Sequence, residues 1–210
     1  MNANTDHVIP SAPSPAAHPP SPPPRATANM MPAALAYAQK LGWSVIPLHS
    51  VKDGHCTCNR VACKNQGKHP LGHIVPNGLK DASADPEVIT RWWREAPWAN
   101  IGVVTGAVSG LVVLDVDTIK GGDESLFEIQ QERGKLPETV MALTGSGGYH
   151  YLFSHPGSGI RVKNSVSNLG RGLDIRGDGG YIVVAPSLHI RGKQYLWEAS
   201  CRPLDAAIAP

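Results

Sequence analysis

The stretch of sequence that decides the fold is residues 111–117, which read LVVLDVD. Side chains of a β-strand point alternately to its two faces, so Asp115 and Asp117 share one face. The positions between them are apolar and point to the other face. Two neighbouring carboxylates repel each other and are costly to bury unless a cation lies between them. The pattern predicts a buried strand that ends in a site for a hard divalent cation such as Mg²⁺. A strand that simply ends in solvent is the alternative.

A second strand-like stretch, residues 172–180, reads GLDIRGDGG and supplies another carboxylate. Its leucine and isoleucine share one face, and Asp174 and Arg176 share the other. A carboxylate next to a cation suits a metal-bound triphosphate, and two metals stabilise both the attacking and the leaving oxygen of phosphoryl transfer. The alternative is a surface strand with a local ion pair that runs into a glycine-rich turn.

Residues 144–150 read TGSGGYH and form a third candidate element. Glycines allow backbone N–H groups to surround an anion, and Ser146 can donate a further hydrogen bond. His150 stands at the start of the following strand, within reach of phosphate oxygens. The stretch lacks the Gly-Lys-Ser/Thr ending of a Walker A loop, and a plain hairpin turn is the alternative.

Residues 50–75, which we call the cysteine loop, are rich in Cys, His, Gly and Lys. Three thiolates and one imidazole are a ligand set of structural zinc. The ligands that the spacing predicts are Cys56, Cys58, Cys63 and His69. His55 and His73 compete for the fourth position, and free cysteines in a loop are the alternative. Nearby lysines favour a nucleic-acid backbone. We therefore expect the loop either to assist template binding and initiation or to support the core.

The composition is that of a globular protein: of 210 residues, 41% are hydrophobic and 17% charged, with a formal net charge of +2. That length can form one domain with a hydrophobic core, and the charge permits a nucleic-acid partner without requiring one. No apolar run is long enough to cross a membrane and no signal peptide is recognisable, so we expect a cytoplasmic protein. Residues 1–28 are dominated by Pro, Ala and Ser, which predicts a disordered arm. We expect the ordered domain over residues 29–200 and a tail or linker at 201–210.

Strands outnumber helices in the predicted secondary structure. We expect helices over residues 32–42, 86–95 and 123–133, with Asp85 capping the second. Strands are expected at residues 43–48, 101–105, 111–117, 139–144, 149–153, 172–176, 181–185 and 194–197. Hairpin-like spacing late in the chain favours an α+β fold with a mixed or antiparallel sheet.

The ordered set of these motifs resembles the bifunctional DNA primase/polymerase domain of the archaeo-eukaryotic primase superfamily. The matching stretches are residues 63–70, 78–82, 92–93, 100–106, 110–117, 144–150, 172–181 and 185–187. The resemblance implies an RRM-like catalytic core, template-directed synthesis from nucleoside triphosphates, and a requirement for Mg²⁺ or Mn²⁺. It assigns metal binding to Asp115 and Asp117, phosphate contact to His150, and the third carboxylate to Asp174.

Further expectations follow from the resemblance for partners and phosphate contacts. Such domains act on single-stranded DNA templates in plasmid, phage and mobile-element replication, often beside a helicase. The candidate nucleotide-binding residues are Ser146, Gly147, Gly148, His150, Lys163, Arg171 and Arg176. Two other functions would use the same residues: a metal-dependent nuclease or phosphoesterase, and a non-catalytic zinc module that binds nucleic acid.

Overall fold

The computed structural model describes residues 29–157 and 159–210. The α-helices in these ranges are α1 (Met31–Leu41), α2 (Pro86–Glu95) and α3 (Gly122–Arg133). The strands are β1 (Val45–Leu48), β2 (Val51–Lys52), β3 (His55–Cys56), β4 (Asn100–Val104), β5 (Leu111–Val116), β6 (Met141–Leu143), β7 (Tyr149–Ser154), β8 (Ser165–Val166), β9 (Leu173–Arg176), β10 (Tyr181–Val183) and β11 (Leu196–Trp197). The predicted arm, residues 1–28, lies outside the described residues.

The strands form two main sheets and one hairpin. The three-stranded sheet has the order β1-β4-β10, and the six-stranded sheet has the order β11-β6-β7-β5-β9-β8. Strands β2 and β3 pair with each other inside the cysteine loop. All pairs between these named strands are antiparallel. The predicted α+β class is therefore confirmed, and the choice between a mixed and an antiparallel sheet is decided for the antiparallel one.

Local sequence explains where the helices begin and end. The Asp85 side chain accepts a hydrogen bond of 2.8 Å from the amide of Glu87, and Pro86 occupies the first turn of α2. These are the predicted cap and start of that helix. Helix α1 ends at Leu41 and is capped by Gly42, whose φ of 68° lies in the left-handed region that glycine adopts readily.

Strand β5 is packed on both of its faces. Leu111 and Val113 belong to the main core, which also contains α1, α2 and the three-stranded sheet. Leu114 and Val116 pack on the other face against α3, in a second and smaller core cluster. A carboxylate at position 115 therefore lies on the face toward the main core, at the end of the strand where the apolar packing stops.

Two segments of the chain differ from their predictions, one inside the cysteine loop and one at residues 201–210. Residues 51–56 form the β2–β3 hairpin, with positive φ values of 51° at Asp53 and 75° at Gly54. Residues 201–210, expected as a tail or linker, pack on the six-stranded sheet. The Ser154 amide donates to the carbonyl of Ala209 at 2.7 Å, and the amide of Ala209 donates to Thr139 Oγ1 at 3.0 Å. Ala209 is buried, so this position favours a small apolar residue.

Candidate active site

The candidate catalytic side chains form a row across three adjacent strands. Asp115 on β5 is paired with His150 on β7 and with Asp174 on β9. Directly opposite residues of antiparallel strands point to the same face of the sheet. The register therefore brings together three residues that the sequence pattern predicted separately.

Arg176 bridges the two carboxylates of this row. Its Nη2 lies 3.1 Å from Asp115 Oδ2 and 2.8 Å from Asp174 Oδ2. On the other side of Asp115, the Nε2 atom of His150 lies 3.5 Å from Oδ1. Burial would raise the pKa of Asp115, but the hydrogen bonds and positive charges of His150 and Arg176 outweigh it and hold that pKa well below its usual range. Asp115 therefore carries a negative charge across the physiological pH range.

Asp117 is presented by a different backbone geometry. Strand β5 ends at Val116, and Asp117 begins the 3-10 turn Thr118–Lys120. Its carboxylate pairs with Lys120 Nζ at 2.8 Å. The repulsion expected between Asp115 and Asp117 is thus met in this structure by two separate cations, Arg176 and Lys120.

These side chains line a cleft of about 420 Å³ between the two sheets. Strands of the six-stranded sheet supply Asp115 and Asp174, and the turn after β5 supplies Asp117. Strand β10 of the three-stranded sheet also lines the cleft. Nine lining residues were not among the predicted site residues, and four of the nine are cationic or aromatic: Lys68, Lys120, Tyr181 and Tyr195. Lys120 could have been found, because it stands one helical turn after Asp117. Lys68 gave no comparable signal in the sequence.

The glycine-rich turn contributes a hydroxyl group to the cleft, while two of its glycine amides are used within the turn. The amides of Gly147 and Gly148 donate to Thr144, one to its carbonyl and one to its hydroxyl, so both are used inside the turn. Ser146 lines the cleft, with its Oγ 2.9 Å from the hydroxyl oxygen of Thr144. A Cβ on Gly148 would lie 2.1 Å from the carbonyl oxygen of Val116. The glycine is therefore required for close packing of the turn on β5.

His150 is buried, and one of its ring nitrogens is unsatisfied. Only 5% of the residue is exposed, and its ring lies 6.2 Å from that of Tyr195. Nδ1 has no hydrogen-bond partner within the described part of the chain. A buried polar atom without a partner is costly, so a bound group that supplies one would be favoured here.

Two predicted phosphate contacts lie away from the cleft. The backbones of Lys163 and Asp178 pair in an isolated β-bridge. Arg171 is exposed, and its side chain lies beside Gly121 at the start of α3. Neither lines the cavity. Lys163 lies in the connection between β7 and β8, and Arg171 lies in the connection between β8 and β9. Proximity to Asp174 in the sequence did not place them in the cleft.

The cysteine loop gathers the predicted ligands into one cluster. The ligand atoms of Cys56, Cys58, Cys63 and His69 all lie within 4.8 Å of one another, so the set could hold a metal ion. The amide of Gly67 donates to Cys56 Sγ at 3.3 Å, which ties this sulfur to the backbone of the loop.

The geometry also decides between the competing histidines. His55 is exposed and outside the cluster. His73 faces Glu95 at 3.8 Å instead. Of the three candidate histidines, His69 is the one that lies in the cluster, with its Nε2 3.5 Å from Cys56 Sγ.

The comparison with protein families agrees with this arrangement. A family model described as bifunctional DNA primase/polymerase, N-terminal, matches residues 34–210. The chain belongs to this family. A search of curated proteins finds no match. The match to the primase/polymerase model covers the cysteine loop, the carboxylate row and residues 201–210, and it implies an enzyme of the nucleotidyltransferase type that acts on DNA and nucleotides.

The cleft of this primase/polymerase chain has the chemistry that a hard divalent cation prefers. Three carboxylates face it, and the buried side chain of His150 has an unsatisfied nitrogen. Arg176 contacts two of these carboxylates and Lys120 contacts the third. The donor set fits divalent metals of the type that the family uses, provided that these cations move aside or take up phosphate oxygens.

No helix in residues 29–157 and 159–210 is long and apolar enough to span a membrane.

Proposed function

We propose that this protein is a template-directed DNA primase/polymerase, which transfers nucleotides from nucleoside triphosphates during replication of a plasmid, phage or mobile element. The observation that carries the proposal is the row of Asp115, His150 and Asp174 across three paired strands, in a cleft that also contains paired cations. Family membership supports the same reaction class.

The carboxylates would hold Mg²⁺ or Mn²⁺ together with the triphosphate. Asp115 and Asp174 lie opposite each other, and Asp117 follows on the same edge of the cleft. Bound divalent cations would lower the pKa of the primer 3′-hydroxyl and offset charge on the leaving pyrophosphate. For the first dinucleotide, a second nucleotide takes the place of the primer end.

The cationic and polar residues would position the triphosphate. Ser146 offers a hydroxyl at the cleft wall, and His150 offers the ring that borders Asp115. Arg176 would donate to phosphate oxygens in place of its two carboxylate contacts, which would leave Asp115 and Asp174 available to hold the metals. A guanidinium group suits phosphate oxygens as well as carboxylates.

The remaining parts of the proposal concern the domain and its partners. We propose an RRM-like catalytic core that extends to residue 210, since the last residues pack on the sheet. Structural zinc is the proposed occupant of the Cys₃His cluster, because this ligand set suits it. Single-stranded DNA is the proposed template, a helicase is the proposed partner, and the cytoplasm is the proposed location.

The test is nucleotide incorporation on primed single-stranded DNA by the parent and by Asp117→Asn. The variant should lose incorporation and keep its melting temperature, because Lys120 is exposed and Asp117 only half-buried, and ion pairs near the surface contribute little to stability. Asp123→Asn is the matched control, since Asp123 is an exposed carboxylate in the first turn of α3. Retained incorporation in Asp117→Asn would disprove the metal assignment. Shortening of the DNA without incorporation would favour a nuclease, and DNA binding without either reaction would favour a non-catalytic module.

A further inference from the structure

Lys68 links the two metal-binding regions of the molecule. It precedes His69, one of the four residues of the Cys₃His cluster. Lys68 also lines the carboxylate cleft. The cysteine loop therefore reaches the candidate active site with Asn65 and with the cation of Lys68.

Hydrogen bonds donated to three consecutive carbonyl groups fix the backbone around Lys68. The carbonyl of Gly67 accepts from Asn100 Nδ2 at 2.8 Å, and that of Lys68 accepts from the Tyr181 hydroxyl at 2.7 Å. The carbonyl of His69 accepts from the amide of His49 at 2.8 Å. The donors belong to β4, to β10 and to the residue after β1, so the three-stranded sheet holds this part of the loop in place.

The ammonium group of Lys68 differs from the other cations of the cleft. Lys120 and Arg176 each contact a carboxylate within 3.1 Å. Within the described residues, no carboxylate oxygen lies within 4.0 Å of Lys68 Nζ. Lys68 is half-buried where it lines the cleft. A partly desolvated ammonium without an ion-pair partner would gain from contact with an anion.

We propose that Lys68 binds the triphosphate of the incoming nucleotide, and that the metal-loaded cysteine loop sets nucleotide affinity by fixing this residue in the cleft together with the hydrogen bonds from the three-stranded sheet. The proposal rests on the proposed function and names a further residue of the same site. It changes the expected role of the loop. If the loop only assisted initiation, losing its metal would spare extension of a supplied primer; here both reactions weaken because both need the nucleotide.

The first experiment measures binding of a fluorescent, non-hydrolysable nucleoside triphosphate to the full chain with Mn²⁺ and without DNA. Lys68→Gln should raise Kd about tenfold or more, as expected for the loss of one charge-assisted hydrogen bond. Lys64→Gln is the matched control, because it removes the same charge from an exposed position of the same loop. Zinc content and melting temperature should be unchanged in both variants. Equal Kd values for the parent and the two variants would overturn the role of Lys68.

The second experiment tests the link to the cluster with Cys63→Ser. This variant should lose bound metal and raise Kd to a similar extent, and combining it with Lys68→Gln should add little. Fully additive effects would overturn the link. A Cys63→Ser protein that does not fold would also overturn it, because the metal would then support the whole domain. The comparison of Lys68→Gln with Lys64→Gln would still decide the first part.

The two proposals fail in distinguishable ways. If the parent binds nucleotide but incorporates none on any template, the proposed function fails while Lys68 remains a phosphate contact. If the parent makes DNA, Asp117→Asn does not, and Lys68→Gln binds nucleotide as tightly as the parent, the Lys68 proposal fails alone.

Discussion

Replacing Asn100 by alanine should destabilise the whole domain. The Asn100 side chain is fully buried and makes four hydrogen bonds: it accepts from Ser50 Oγ and the amide of Leu188, and it donates to the carbonyls of Gly67 and Leu188. At about 1 kcal/mol net for each bond, the substitution should cost about 4 kcal/mol. For a domain of this size, that loss lowers Tm by about 10 °C.

Chemical denaturation and thermal melting of Asn100→Ala would measure this loss. Asn168→Ala is the matched control, because Asn168 is exposed, and its stability should match that of the parent. Asn100 also anchors the carbonyl of Gly67 next to the metal cluster. Asn100→Ala should therefore lose bound zinc more readily than Asn168→Ala. A loss below about 1 kcal/mol, or equal effects of the two substitutions, would refute the reasoning, since one net bond is worth about that much.

Three further predictions concern the cleft and the N-terminal arm. His150→Ala should weaken nucleotide binding more than binding of single-stranded DNA, and unchanged nucleotide affinity would rule out a phosphate contact. Gly148→Ala should destabilise the domain by about 1–3 kcal/mol, because a Cβ would lie 2.1 Å from the Val116 carbonyl oxygen, whereas Gly72→Ala has free space and should be neutral in the same denaturation assay. Removal of residues 1–28 should leave Tm nearly unchanged, because the arm has little apolar surface to bury; a drop of several degrees would show that it packs on the domain.

Local patterns were sufficient to predict the strands that carry the carboxylates. Alternation with period two placed Asp115 on β5, and the same rule put Asp174 and Arg176 together on β9. The cap and proline of α2 predicted its first residue. Each of these predictions depends on interactions within a few residues, which the sequence displays directly.

Contacts between distant segments could not be predicted in this way. Register between strands is a tertiary property, so the alignment of His150, Asp115 and Asp174 followed only from the pairing of three strands. Lys68 reaches the cleft because donors from the three-stranded sheet hold its loop, and no local pattern indicates that. The β2–β3 hairpin, in contrast, could have been predicted from local sequence, because its Asp53-Gly54 pair is a recognised turn signal.

The most direct test of the central claim follows the product and the pyrophosphate together. The parent protein, with Mg²⁺ or Mn²⁺, is given homopolymer templates of oligo-dT and then oligo-dA, with each nucleotide supplied separately in its ribo and deoxyribo forms. We predict incorporation only of the nucleotide complementary to the template, with one pyrophosphate released for each nucleotide added. Incorporation that ignores the template, or phosphate release without a longer strand, would contradict the assignment of this cleft to template-directed synthesis.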